Sequence, residues 1–185
     1  MHTFTLVFLT ALALTTLIQI WLATRHIRHI RAHQNTVPEK FSSQINLADH
    51  QKAADYTCAK TRTGYPGVVL QVALLLIFTL GGGLNALNSF WANWLGDPLA
   101  HGMALIISTF LLMGIAEVPL SYYRTFVIEE QYGFNKMTSA MFFTDLIKQS
   151  LLGLLLGAPL LFCVLWLMEK TGENWWLYAW LAWIA

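Results

Sequence analysis

Four long apolar runs alternate with polar segments along the chain. They cover residues 3–23, 67–87, 99–120 and 150–168, and each holds 19 to 22 residues. A bilayer core of about 30 Å needs about 20 helical residues, and backbone in lipid must satisfy its own hydrogen bonds. The pattern therefore predicts four transmembrane helices and an all-α, polytopic helical bundle.

A fifth apolar run, residues 175–185, holds only 11 residues. As a helix it would cover about 16 Å, roughly half of a bilayer core. We therefore expect an incomplete fifth span, with residues 1–185 forming the N-terminal transmembrane region of a longer protein. A short interfacial tail is the alternative, because four tryptophans of the run suit a membrane interface, namely Trp175, Trp176, Trp180 and Trp183.

Composition and charge support a membrane protein and suggest its threading. The chain is 56% hydrophobic and 11% charged, whereas soluble domains average about 25% charged residues. A net charge of +1 predicts no nucleic-acid partner. Lys and Arg number seven in residues 25–66 and three in residues 121–149, out of 11 in all. By the positive-inside rule these two loops are cytoplasmic and the N-terminus is external. The short loops favour a bacterial inner membrane.

Glu117 is the one acidic residue inside a full predicted span. An intramembrane carboxylate is costly and is a functional candidate by default. Glu117 lies near the cytoplasmic end of its span, so anchoring at the interface is the alternative interpretation. Small residues elsewhere predict packing rather than ligand sites: Gly153 and Gly157 favour close helix packing, and residues 81–83 thin the second span.

Three histidines, His26, His29 and His33, share a helix face just after the first span. A metal site is one interpretation. Carboxylate partners are missing nearby, so a basic collar among anionic head groups is the favoured one.

Local signals place further helix ends. Asn46 predicts the N-cap of a helix over about residues 48–61, and Gly133 with Asn135 predicts a helix stop. Thr138 or Ser139 predicts the cap of the helix that becomes the fourth span.

Glu129 and Glu130 could supply acid–base chemistry, but adjacent helical residues point apart, so a solvated pair is the alternative.

One segment resembles a known family. It follows the third span and contains the pattern F-V-I-E-E-Q-Y-G-F-N-K-M-T, residues 126–138. This pattern resembles a signature in the N-terminal membrane region of type-1 CAAX prenyl proteases, which are multi-span zinc metalloendopeptidases. Val37-Pro38, residues 53–57, Pro119 and residues 145–148 fit the same region, so the resemblance covers roughly residues 25–170.

The family's zinc motif, H-E-x-x-H, is absent from this chain. None of the six histidines is followed by Glu. In that motif two histidines one turn apart hold the metal and the glutamate activates its water. The resemblance therefore implies no catalytic or metal-binding residue within these 185 residues. It places zinc and the catalytic domain in the missing C-terminal part of a parent protein, on the side where the predicted threading sends the chain end.

The resemblance implies that this chain is the non-catalytic N-terminal membrane domain of a membrane-bound zinc metalloendopeptidase. Its helices would help wall an intramembrane chamber, with the lipid bilayer, the catalytic domain and a peptide or protein substrate as partners. The loop over residues 121–149 would pack near the catalytic domain or the substrate path. Candidate residues there are Arg124, Glu129, Glu130, Gly133, Phe134 and Asn135.

Two other function classes stay open from the sequence. A small transporter or channel would use Glu117 and His101, although polar residues in the spans trace no pathway. A membrane scaffold would bind partners or anionic lipid through its basic cytoplasmic loops. A peptidase motif in the sequence of the parent would decide between the three.

Overall fold

The structure is a computed structural model that describes residues 2–184, without the side chains of residues 173 and 181–183. Over these residues the chain is helical and contains no strand. Four of its helical segments are long and apolar enough to cross a membrane. The predicted all-α polytopic class is confirmed. The side chain of Trp183 lies outside the described residues.

The first helix, α1, spans Thr3–His33 and extends well past the apolar run. After a short 3₁₀ turn at Glu39–Phe41 comes α2, Leu47–Arg62. Asn46 caps α2 as predicted, because its side-chain oxygen accepts a hydrogen bond from the Asp49 amide at 2.8 Å.

The second apolar run is divided between two helices. α3 spans Gly64–Thr79 and α4 spans Gly83–Ala92. The break falls at Gly82, which has φ +80° in the left-handed region that favours glycine. The predicted span over residues 67–87 therefore differs from the structure: the glycine run ends one helix and begins another rather than thinning a continuous one.

The third span, α5, covers Pro98–Tyr123 and contains Pro119. It continues into a π-helical segment, Arg124–Glu129. Such wider turns are rare and frequently occur at functional sites. They shift the helix face that the following residues present.

The last two helices are α6, Ser139–Thr171, and α7, Trp175–Ile184, joined through a 3₁₀ turn at Gly172–Asn174. Of the two predicted caps for α6, Thr138 is the one used: its hydroxyl accepts a hydrogen bond from the Met141 amide at 3.3 Å. α7 packs against α6.

The chain divides into two compact units. The first comprises Met1–Leu76 with Glu117–Lys136, and the second comprises Ile77–Ala116 with Met137–Ala185. Buried side chains of the first unit include Ile27, Ala54 and Cys58. The most apolar 18-residue windows of α1, of α6 and of the segment Pro98–Glu129 are 0% buried within the structure. Their apolar surfaces therefore require lipid or further protein.

Candidate functional site

The segment that carries the family resemblance forms a helix ending in the first unit. The amide of Phe134 donates to the carbonyl of Glu129 at 2.8 Å, and the amide of Gly133 donates to that of Glu130 at 3.0 Å. These two bonds form a Schellman motif, in which the residue after the helix is left-handed. Gly133 has φ +77°, so glycine here is a backbone requirement.

A side-chain bond reinforces this helix end. Asn135 Nδ2 donates to Glu130 Oε2 at 2.9 Å, and the backbone amide of Asn135 also reaches the Glu129 carbonyl at 3.2 Å. The Glu130 carboxylate thus holds the loop that leaves the helix. The Glu129 carboxylate, in contrast, has no hydrogen bond or ion pair to any described residue and is half-buried.

The same segment packs on α2 through aromatic rings. The ring of Tyr56 lies 4.6 Å from that of Phe134 and 5.4 Å from that of Tyr132, centroid to centroid. Lys52 Nζ lies 5.9 Å from the centre of the Phe134 ring. The π-helical segment also contacts α2, and its Ile128 is buried. Phe134 itself stays 53% exposed.

Arg124 ties the start of the π-helical segment to the junction of α2 and α3. Its Nη2 donates to the backbone carbonyl of Thr63, at the end of α2, at 3.2 Å. Thr63 is buried. A Cβ on Gly67 would lie 2.9 Å from the same Nη2, so only glycine leaves room for the guanidinium in this position.

A polar cavity of about 140 Å³ lies beside Arg124 in the first unit. It is lined by Gly67, Leu70, Gln71, Glu117, Leu120 and Ser121, together with Arg124. At about 30 Å³ per water, the volume is enough for several water molecules. Glu117 is exposed, and within the described residues its carboxylate has no ion pair or hydrogen bond.

The structure brings the sequence-predicted residues together in two groups. Glu117 and Arg124 line the cavity, and the motif residues Glu130, Gly133 and Asn135 form the helix ending; their functional roles stay a prediction. Sequence reasoning missed Gln71 and Ser121 in the cavity. A signal was present, because Glu117, Ser121 and Arg124 follow the i, i+4, i+7 spacing of one helix face.

Other predicted features lie apart from this site. In the second unit, Gly153 and Gly157 border an open apolar groove of about 320 Å³ with Ile107 and Phe110, and a Cβ at either glycine would meet nothing within 4 Å. The expected close packing at these glycines therefore differs from the structure. His101 Nε2 is buried and has no hydrogen-bond partner among the described atoms.

The described residues do not fit a zinc site. Among them, no group of three His, Cys, Asp or Glu side chains is arranged to hold a metal ion. Of the histidines on α1, the His29 and His33 rings lie 4.3 Å apart, but His33 Nδ1 is within 2.9 Å of the His29 carbonyl. The backbone therefore engages that nitrogen, and among the described residues no carboxylate pairs with either ring to orient it. The described residues therefore provide no set of ligands for a metal ion.

Comparison with known proteins points to one family. Residues 26–185 match the family described as "CAAX prenyl protease N-terminal, five membrane helices". The "CAAX prenyl protease 1 homolog" of Caenorhabditis elegans is 31% identical over 156 residues, which cover 83% of this chain and 34% of that protein. The "Probable CAAX prenyl protease 1" of Schizosaccharomyces pombe is 37% identical over 162 residues, covering 80% and 34%.

A solved structure has the same fold. The crystal structure of S. mikatae Ste24p matches 97% of this chain and 43% of that chain with a TM-score of 0.86, at 21% sequence identity. The chain spans about a third of the length of the curated relatives named above.

Proposed function

Because the chain belongs to the CAAX prenyl protease N-terminal family, we propose that it is the non-catalytic N-terminal membrane domain of a membrane-bound zinc metalloendopeptidase. Two observations support the proposal. Residues 26–185 match a family described by its membrane helices, and the chain covers 34% of the length of each of the two relatives named above. The zinc, its ligands and peptide-bond hydrolysis then belong to a catalytic domain in the rest of the parent protein.

Within this proposal the helix terminus at Gly133 positions the loop between α5 and α6 against the catalytic domain or the substrate path. The geometry of this terminus supports that role. The ending is fixed to α2 by Tyr56 and Phe134, whereas the Glu129 carboxylate and half of the Phe134 ring are left for another partner.

The polar cavity has a related role in the proposal. Glu117 and Arg124 lie seven residues apart on one continuous helical segment, about 10 Å along its axis. By the threading proposed below, Glu117 lies near the cytoplasmic end of its span and Arg124 just beyond that end, and a Glu117 carboxylate facing hydrocarbon would be costly. We therefore assign this face to water or protein of the parent rather than to hydrocarbon, consistent with helices that wall an intramembrane chamber.

The membrane threading also stays a proposal. Residues 25–66 and 121–149 would be cytoplasmic and the N-terminus external, because of their Lys and Arg content. The bacterial inner membrane is proposed from the short loops alone; the relatives named above come from eukaryotes and give it no support.

Cysteine labelling tests the threading. Cys58 is only 4% exposed and would report poorly, so it is replaced by alanine together with Cys163. Single cysteines are then placed at exposed Ser43 and Gly96. A membrane-impermeant maleimide added outside intact cells should label position 96 and not position 43. The reverse pattern would overturn the threading.

The enzymatic proposal is tested on the full-length parent. Metal analysis should find about one zinc per protein, and the parent should cleave a prenylated or an unprenylated CAAX-type peptide. Chelation should abolish the cleavage. The purified 185-residue chain should show neither stoichiometric zinc nor cleavage, and peptidase activity from that chain would contradict its non-catalytic assignment.

A further inference from the structure

Three arginines form a stripe along the extension of α1 beyond its apolar run. Arg25, Arg28 and Arg31 recur at every third residue of a helix that continues to His33. This spacing spreads them over about 120° of the helix surface and about 9 Å of its length. All three are exposed, so the stripe presents three guanidinium groups on one rigid element.

No acidic residue forms an ion pair with the stripe among the described side chains. The first 38 residues contain no Asp or Glu. Among the described side chains, none of the three arginines makes an ion pair or a hydrogen bond. Among the described residues, Arg25 makes a cation–π contact, with its Cζ 5.5 Å from the centre of the Trp21 ring. Nearly all of their hydrogen-bonding capacity is therefore open to an external ligand.

Packing against α2, beside the stripe, fixes the extension of α1 in place. Ile27 is buried, and Cys58 Sγ of α2 lies 4.0 Å from its carbonyl oxygen. His50 Nε2 reaches the carbonyl of His33 at 3.3 Å. α2 thus braces the extension of α1, so binding need not order the backbone that carries the arginines.

The position of the stripe matches the polar layer of a bilayer. Trp21 is 58% exposed and suits the interface between hydrocarbon and head groups. The head-group layer on each side is about 5–8 Å thick, from the difference between the total and the hydrocarbon thickness. Arg25 follows Trp21 by about 6 Å along the axis, at phosphate level, whereas Arg28 and Arg31 follow it by about 10 and 15 Å and reach the phosphates from the aqueous side with their long side chains.

We propose that Arg25, Arg28 and Arg31 form a binding site for the phosphate groups of anionic phospholipids. Guanidinium groups pair bidentately with phosphate, and a basic residue at an anionic membrane surface contributes about fivefold in affinity, equivalent to about 1 kcal/mol. Anionic lipid would therefore collect at this end of α1 and hold it at a defined depth.

The lysines of the same loop provide a matched control. Lys40, Lys52 and Lys60 carry the same total charge, but three acidic residues share their segment, namely Glu39, Asp49 and Asp55. Lys60 Nζ also donates to the Tyr56 hydroxyl at 3.5 Å. Their removal changes net charge by the same amount without touching the stripe.

The experiment titrates phosphatidylglycerol, with phosphatidylcholine as reference, into the full-length protein in neutral detergent. Bound lipid is counted by native mass spectrometry, and the rise in Tm reports affinity. Replacing the three arginines with glutamine should weaken phosphatidylglycerol binding by about tenfold or more and leave phosphatidylcholine binding unchanged. Replacing the three lysines with glutamine should weaken it by less than about twofold.

Two further measurements keep the test decisive. If the triple arginine variant fails to fold, Arg28→Gln alone should weaken phosphatidylglycerol binding by about fivefold, and Lys40→Gln should not weaken it. Inorganic phosphate at millimolar concentration should not displace the lipid. Equal losses in the arginine and lysine variants would reduce the effect to net charge and overturn the site, and displacement by inorganic phosphate would overturn the lipid as its occupant.

Discussion

Gly67→Ala tests the contact between Arg124 and the junction of α2 and α3. The added Cβ would lie 2.9 Å from Arg124 Nη2 and 3.3 Å from Leu120 Cδ2. The guanidinium is the end of a flexible side chain, so it can move away, but it then loses its 3.2 Å hydrogen bond to the Thr63 carbonyl.

The expected change in the free energy of unfolding follows from two opposing contributions. Leaving the buried Thr63 carbonyl without its charged donor costs about 1.5–2.5 kcal/mol. Alanine in place of glycine within a helix returns about 0.5–1 kcal/mol. We therefore expect Gly67→Ala to lower the free energy of unfolding by about 1 kcal/mol. In an Arg124→Ala background the helix contribution is opposed only by the 3.3 Å approach to Leu120 Cδ2, a side-chain end that can move, so the same substitution should stabilise the protein.

The assay is equilibrium unfolding in mixed micelles with increasing dodecyl sulfate, followed by far-ultraviolet circular dichroism. The four proteins form a double-mutant cycle with a coupling of about 1.5–2.5 kcal/mol. Gly153→Ala supplies the control, because a Cβ there meets nothing within 4 Å and reports the helix term alone. An effect of Gly67→Ala with the same sign and size in both backgrounds would refute the reasoning.

Three further predictions concern the helix ending and the cysteines. Gly133→Ala should lower the free energy of unfolding by about 1–2 kcal/mol in the same assay, because φ is +77° there; no loss would contradict the Schellman ending. Phe134→Ala and Tyr56→Ala should be non-additive by about 0.5–1.5 kcal/mol in a double-mutant cycle, since their rings lie 4.6 Å apart. In detergent, a small maleimide should label exposed Cys163 well before buried Cys58, and similar rates would show that the α1–α2 packing opens readily.

Helix termini marked by side chains are the part of the fold that sequence predicts best. Asn46 and Thr138 cap α2 and α6 with their own side chains, and Gly133 ends a helix through its backbone preference. Each signal acts over three or four residues and does not depend on the tertiary structure. The amino-acid pattern is therefore enough to place these helix ends.

Two features of the fold were not predicted. The break at Gly82 lies inside an apolar run, so an apolar window does not detect it, although three consecutive glycines are a local signal for a break. The π-helical segment beginning at Arg124 arises beside a contact to Thr63, which is 61 residues away in the chain. No local pattern encodes that pair, although the spacing of Glu117 and Arg124 does place them on one helix face.

The structure separates the two adjacent glutamates of the family segment, and this gives a final test of the candidate site. Glu130 holds Asn135 at 2.9 Å, so Glu130→Gln should cost about 0.5–1 kcal/mol of stability through a weaker hydrogen bond. Any loss of cleavage by the full-length parent should then follow the loss of folded protein.

Glu129 has no partner for its carboxylate among the described residues, so Glu129→Gln should leave the free energy of unfolding unchanged within about 0.5 kcal/mol. If the carboxylate faces the catalytic domain or the substrate path, this variant should still reduce cleavage per folded molecule. Full activity in Glu129→Gln would remove that residue from the site and leave the segment with a purely structural role.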